Sequence, residues 1–284
     1  MIDFLDVQAS TPDIRISVDK VGIRRMKFPI KIGDEVAILS ADLYIDIPQT
    51  RKGADMSRAV ESIQSVLSRP SINLESLGIE ICKEALGRFN YASRVEVKIN
   101  GEYYKKSNGG YDEISLYIRT KCGIDGNIEN LTGLSYEAIT ACPCAMETTR
   151  ALISKDIPDS ENVLYYIPTV THNQRNRTKL IVSNNAGKIS FWDIYKVLES
   201  VQGKPLESLL KRIDEGKLVY EAHKKPKFVE DVVREVAFAA VTLLPLSDDD
   251  MVIVSSDSEE SIHPHNAYAS MKKRALDLKK ELNL

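Results

Sequence analysis

Three of the chain's four histidines fall in two short polar clusters, Thr171-His172-Asn173-Gln174-Arg175 and Glu260-Ser261-Ile262-His263-Pro264-His265-Asn266. Two of its four cysteines share a third, Ala141-Cys142-Pro143-Cys144. Thiols and imidazoles bind borderline metals and carry protons near neutral pH. A chain that holds so few and groups most of them points to a metal-dependent hydrolytic site. Cys-Pro-Cys offers two thiols on one stiff turn: one as a metal thiolate, the other left free as acid, base or nucleophile. Two structural thiols at a strand end would read the same way, because free Cys is commonly buried. No second Cys pair completes a closed structural zinc site, and the Pro-Cys-x-x-Cys and His-x-Glu of zinc deaminases are absent.

His263 and His265, at i and i+2 of an extended segment, point the same way, and Pro264 keeps them out of a helix interior. Glu260 beside them can tune an imidazole and hold its tautomer. The bland alternative for these residues, and for His172, is a polar loop or strand end. Glu215, in Asp214-Glu215-Gly216, reads as part of a solvated turn after a helix. Glu230, in Pro226-Lys227-Phe228-Val229-Glu230-Asp231, reads as a carboxylate in a helix's first turn, where the dipole favours it.

These residues need a scaffold, and 284 residues suffice to bury a substantial core. Hydrophobic content of 43% with 28% charged residues is ordinary for a soluble globular protein. A net charge of -3 gives no basic surplus for nucleic acid. The start, Met1-Ile2-Asp3-Phe4-Leu5-Asp6, lacks the positive and apolar regions of a signal peptide, and no apolar run is long enough to span a membrane. Sparse cysteines favour a reducing cytoplasm over a disulfide scaffold.

Alternation predicts strands at Ile14–Val18, Val36–Ile47, Val95–Gly101 and Ile114–Ile118, with Asn100-Gly101 as a turn signal. Between them, Ala59, Ile63, Val66 and Leu67 give one helix face, and Leu74, Leu77, Ile81 and Leu86, capped by Asn73, give a second. The second half predicts strands at Tyr136–Thr140, Val163–Val170, Lys179–Val182 and Met251–Val254. Its helices are expected from Phe191 to about Val201, from Pro226 to about Leu244, and from about Ala267 to the end. The expected class is α+β in one compact unit, with a first β-αα-β half over 1–125 and a second over 126–284.

In this order the clusters resemble the GTP cyclohydrolases of the IB type and their archaeal relatives, the MptA proteins. The matching blocks are Asp6-Val7-Gln8, Lys52-Gly53-x-x-Met56-Ser57-Arg58, Cys142-Pro143-Cys144, His172-Asn173-Gln174-Arg175, Pro226–Asp231 and Glu260-Ser261-Ile262-His263-x-His265-Asn266-Ala267-Tyr268-Ala269. The resemblance implies a tunnelling fold (T-fold) of antiparallel sheets with helices on one face. It also implies a homo-oligomer, dimer or tetramer, with active sites at subunit interfaces. The implied reaction opens the imidazole ring of GTP, releases C8 as formate and forms a dihydroneopterin.

Carried over residue by residue, the resemblance implies Cys142, His172 and Glu215 as ligands of one divalent metal, Fe(II) first, with Zn(II) and Mn(II) admitted by the donor types. It implies Glu230 as the guanine anchor, and Cys144, Glu260 and His263 as the proton-transfer set. His265 is a further active-site histidine with its role open. Lys52, Arg58, Arg175 and Arg177 are the basic candidates for the triphosphate. Bacterial members place the His-Asn-Gln-Arg block close behind Cys-Pro-Cys, whereas here Cys142 and His172 are 30 residues apart. A histidine of the bacterial Lys-Gly block is replaced by Asp55. Both departures favour the MptA-like branch, with a cyclic phosphate of dihydroneopterin as product; the alternative is the triphosphate. Two competing readings are a non-catalytic metal or redox sensor using the Cys142/Cys144 dithiol, and another T-fold enzyme acting on a different purine or pterin.

Overall fold

Alternation in β2 (Glu35–Ile47) shows how the sheet arises: every second residue from Ala37 to Ile47 is buried and the residues between are not. The computed structural model describes residues 6–284; Met1–Leu5, on which the reading of a missing leader falls, lie outside the described residues. The remaining strands are β1 (Val18–Ile32), β3 (Arg94–Ser107), β4 (Gly110–Gly123), β5 (Ile128–Ala141), β6 (Asn173–Ser183), β7 (Met251–Glu259) and β8 (Ala267–Arg274). They form one sheet in chain order, β1 to β8. The β1–β2, β2–β3, β6–β7 and β7–β8 pairings are antiparallel.

The helices are α1 (Met56–Leu67), α2 (Leu77–Arg88), α3 (Pro143–Asp156), α4 (Glu161–Leu164), α5 (Phe191–Gln202), α6 (Arg212–Lys224), α7 (Val229–Leu243) and α8 (Ala275–Glu281). The order β1-β2-α1-α2-β3-β4 recurs as β5-β6-α5-α6-α7-β7-β8, with α3 and α4 inserted between β5 and β6. Two compact units are distinguished. One holds the chain up to Tyr103 with Leu116–Gly133 and Ser183–Ser190; the other holds Tyr104–Ser115, Leu134–Val182 and Phe191–Leu284.

In the first unit, α1 buries Ala59, Ile63 and Val66, and α2 buries Leu77, Ile81, Cys82 and Ala85. Each such aliphatic side chain contributes roughly 1.5–3 kcal/mol on burial. Gly78 lets α2 approach β4: a Cβ there would lie 2.2 Å from Thr120 Oγ1. That hydroxyl donates to Asn130 Oδ1 at 2.6 Å, and Asn130 Nδ2 donates in turn to the Asn184 carbonyl at 2.9 Å. In the second unit, α7 buries Val229, Val232, Val233 and Val236, and α5 buries Ile194, Tyr195 and Leu198. The Tyr136 ring of β5 packs against Tyr195 with centroids 5.5 Å apart and planes tilted by 39°, and the Tyr136 hydroxyl donates to the Gly203 carbonyl. Among the described residues no helix is long and apolar enough to cross a membrane.

Several expected elements differ. β1 begins at Val18; Ile14 and Ile16 are exposed and outside it. Asn100-Gly101 makes no turn but lies inside β3, where Gly101 pairs with Leu39 and a Cβ would meet the Ile38 carbonyl oxygen at 2.5 Å. The second Asn-Gly, Asn108-Gly109, makes the connection to β4, with Gly110 at φ +122°. Val163–Val170 is not a strand: α4 and irregular chain stand there, with Val163, Tyr165, Tyr166 and Val170 exposed and no sheet neighbour to fix an extended run. Ala267 opens β8 rather than a helix, because its side chains alternate half-buried and exposed against β7. Only Ala275 onward is helical.

Candidate active site

Cys142 stands between the end of β5 and the first residue of α3. Its extended backbone and the proline at the next position suit a helix N-cap, and its Sγ accepts a hydrogen bond from Ala145 N at 3.5 Å. The expected isolated turn is therefore the start of a helix. α3, α4 and their connections leave the sheet and return so that Cys142 N donates to the His172 carbonyl at 3.2 Å. Thr171 Oγ1 donates to the Cys142 carbonyl at 2.7 Å, and Thr169 Oγ1 to that of Met146 at 2.8 Å. Asn173 Nδ2 completes the clasp on the Thr140 carbonyl at 3.2 Å. Thirty residues of separation thus close into direct backbone contact.

The third cluster reaches the same place from β7. His172 Nδ1 stands 3.3 Å from Ser261 Oγ and 3.9 Å from Glu260 Oε2. The side chains of His172 and Glu260 are both 12% exposed. Glu260 Oε1 accepts from Ser258 Oγ at 2.9 Å. The imidazole that Glu260 faces is that of His172, not the expected His263. His263 and His265 are exposed, and their rings stack at 5.2 Å, so the i, i+2 pair does point one way.

The start of α7 is held to the same strand end by Lys227 N, which donates to the Ala141 carbonyl at 3.1 Å. Lys227 Nζ binds the Val201 carbonyl and Glu235. This sets the exposed Glu230 in the first turn of α7, with Asp231 accepting from Phe228 N at 3.1 Å. Glu215 lies in the first turn of α6, not in a loop, and α6 buries no residue. Cys144 is exposed in the first turn of α3. Arg175 is exposed and 3.4 Å from Glu259; Arg177 is engaged by Glu137 at 2.8 Å and Glu113 at 3.5 Å.

Lys52 and Arg58 belong to the other unit. There Lys52 N and Gly53 N donate to the Ser10 and Gln8 carbonyls, so the Asp6-Val7-Gln8 and Lys52-Gly53 blocks are neighbours. Asp55 accepts from Arg51 at 2.8 Å and Tyr91 at 3.1 Å, and Arg58 lies 3.4 Å from it. Burial, with Asp55 close by, pushes the Tyr91 hydroxyl above its ordinary pKa.

Beneath the clusters runs a polar column that residue types alone did not single out. Gln174, Asn176, Thr178, Ser256 and Ser258 are all buried. Thr178 Oγ1 lies 2.9 Å from Ser256 Oγ, and both reach Asn176 Oδ1. Gln174 Oε1 and Thr140 Oγ1 are buried without a protein partner. The signal was present: on β6 and β7, polar residues occupy alternating positions that farther along hold Leu180, Val182, Val252 and Val254.

Among the described residues no three Cys, His, Asp or Glu side chains converge as a metal cluster. Cys142 and His172 are brought together within the chain, and Glu215 is not gathered with them.

Solved structures share the fold. A uricase from Arthrobacter globiformis superposes with TM-score 0.57 at 8% identity, covering 90% of this chain and 93% of that one. A uricase from Bacillus fastidious gives 0.56 at 9% identity, covering 94% and 97%. The protein is thus of the tunnelling-fold class, an α+β architecture with an antiparallel sheet carrying helices on one face. The family described as type I GTP cyclohydrolase folE2 matches residues 4–269. A Thermoplasma acidophilum protein named GTP cyclohydrolase MptA is 54% identical over 282 residues, 99% of each chain. Its namesake from Picrophilus torridus is 37% identical over 277 residues, 95% of each. The chain belongs to the type I GTP cyclohydrolase folE2 family.

Proposed function

We propose that this protein is a GTP cyclohydrolase of the MptA-like branch, serving pterin biosynthesis of the methanopterin or folate type. It would open the guanine imidazole ring of GTP, release C8 as formate and the two outer phosphates as diphosphate, and yield 7,8-dihydroneopterin 2',3'-cyclic phosphate. The observation that carries this reading is the clasp of Cys142 to His172 with Glu260 facing the imidazole. It ties the backbone of the Cys-Pro-Cys block to that of His172 and sets a carboxylate 3.9 Å from the imidazole, from blocks far apart in the chain. The buried, unpartnered Gln174 Oε1 and Thr140 Oγ1 beside it support a polar ligand, since leaving each unmade costs about 1–3 kcal/mol.

In this reading Glu230 accepts the parallel N1–H and N2–H bonds of guanine. Cys144, Glu260, His263 and His265 hold and move protons around C8 and N7. Lys52, Arg58 and Arg175 serve the triphosphate. Cys142, His172 and Glu215 are the ligands of one divalent metal, Fe(II) first and Zn(II) or Mn(II) otherwise. A homo-oligomer with sites at subunit interfaces is part of the reading, as is a cytoplasmic location.

The deciding experiment is anaerobic incubation of the purified protein with GTP and Fe(II), then oxidation and fluorescence detection of a pterin. No pterin with any divalent metal would overturn the reading. Alkaline phosphatase separates the products: a triphosphate monoester is stripped, whereas a cyclic phosphodiester resists.

A further inference from the structure

Inward positions of β7 run Val252, Val254, Ser256, Ser258: two apolar residues followed by two buried hydroxyls. Ser256 is accounted for by Thr178 and Asn176. Ser258 lies opposite Asn176 in the β6–β7 register and is 2% exposed, yet its hydroxyl is directed along its own strand to Glu260 Oε1 at 2.9 Å. The other carboxylate oxygen, Oε2, is the one 3.9 Å from His172 Nδ1. Glu259, of the same chemistry and one residue earlier, is exposed and 3.4 Å from Arg175.

We propose that Ser258 is a positioning residue that fixes the Glu260 carboxylate toward His172, and so selects which of two adjacent glutamates serves the site. The inference rests on the working roles given above to Glu260 and His172. A glutamate has three side-chain torsions, and a chain emerging from a strand end leaves them free. A hydrogen bond to one oxygen from a donor that is itself buried holds the group in one rotamer and leaves the second oxygen toward the imidazole. Ser261 Oγ, at 3.3 Å, is the hydrogen-bond partner of His172 Nδ1, and the carboxylate at 3.9 Å adds a fixed negative charge on the same side of the imidazole, which orients the ring. Ser258 itself touches neither substrate nor reacting atoms in this scheme.

The test uses full-length Ser258→Ala, Ser258→Thr, Glu260→Ala and the Ser258→Ala/Glu260→Ala double variant. All are assayed with GTP and Fe(II), alongside metal stoichiometry and the thermal midpoint. Ser258→Ala is expected to lower kcat about ten- to a hundredfold, the equivalent of one hydrogen bond to a charged group. The KM for GTP should stay within about twofold, with metal content unchanged. Ser258→Thr, which keeps the hydroxyl, should restore kcat. Because Ser258 acts through Glu260, the double variant should be no slower than Glu260→Ala alone. Multiplicative losses in the double variant, wild-type turnover in Ser258→Ala, or metal loss there would overturn the proposal. Should Ser258→Ala not fold, Ser258→Cys, near-isosteric but a poor donor, takes its place with the same expected outcome. A wild-type protein that forms no pterin defeats the parent reading, and this one with it; a working wild type with multiplicative losses defeats this one alone.

Discussion

The two thiols of Cys142-Pro143-Cys144 have different surroundings. Cys142 caps α3 through its sulfur and is tied by its backbone to Thr171 and His172, whereas Cys144 is exposed one turn into the helix. Under the proposed roles, Cys142→Ala loses bound metal and turnover together, while Cys144→Ala keeps metal and loses turnover. Metal analysis of both variants checks this; equal metal loss would make the thiols joint ligands. The lost cap, through a weak sulfur acceptor, adds a small stability cost for Cys142→Ala, visible as a slightly lower thermal midpoint. Glu230 is exposed in the first turn of α7. Its conversion to Gln exchanges an acceptor for an NH₂ against a guanine donor and removes charge-assisted bonds of roughly 1.5–3 kcal/mol each. GTP binding should weaken about tenfold or more with metal content intact. Unchanged affinity would reduce Glu230 to a partner of the helix dipole.

At the level of elements, close approach of a helix to the sheet has its own determinants. α2 meets β4 where Gly78 faces Thr120 and Ile118, both buried. Thr120 has no freedom to yield, because its hydroxyl is bound to Asn130 at 2.6 Å. Gly78→Ala would place a methyl 2.2 Å from that oxygen and 2.8 Å from Ile118 Cγ2. Despite alanine's better helix propensity, overpacking of this kind costs typically 1–3 kcal/mol. Urea unfolding should show a lower midpoint with an unchanged m-value; equal or greater stability would mean that α2 shifts without penalty. The α3–α4 insertion shows the opposite economy: α3 buries only Met146, and threonine hydroxyls on carbonyls hold it to the chain at His172.

For the molecule as a whole, acid stability has an identifiable contributor. Glu96 of β3 has a side chain only 7% exposed and is bonded by Lys20 and by Arg119, the latter at 2.8 Å. Burial pushes its carboxyl up, but the two cations outweigh that and hold it below the usual carboxylate range. A depressed native pKa contributes stability that is present above the unfolded value, about 4.3, and lost as pH falls through the lower native one. Glu96→Gln should therefore be less stable than the parent at neutral pH, with the gap closing as the solution is acidified below that range. Chemical denaturation at a series of pH values reads the difference; a gap independent of pH would assign the effect to packing.

Local periodicity was enough to predict β2, β4, α1, α2, α5 and α7, because two- and 3.6-residue patterns report which face an element buries. Residue types in order were enough to predict the family, whereas Glu215 and Glu230 became candidates only through that resemblance. Other features needed the folded chain. Asn100-Gly101 and Asn108-Gly109 are the same dipeptide, yet strand pairing puts one inside β3 and the other at its end. Ala267 onward carries helix-forming residues, but the neighbouring β7 recruits the first eight as β8. The contact between Cys142 and His172 depends on a path that leaves and re-enters the sheet. That the buried Ser258 hydroxyl reaches Glu260 and not Glu259 depends on which side of the strand end each carboxylate leaves. These are pairings between residues distant in the chain or equivalent in composition, and only the competition for hydrogen bonds and buried space in three dimensions distinguishes among them.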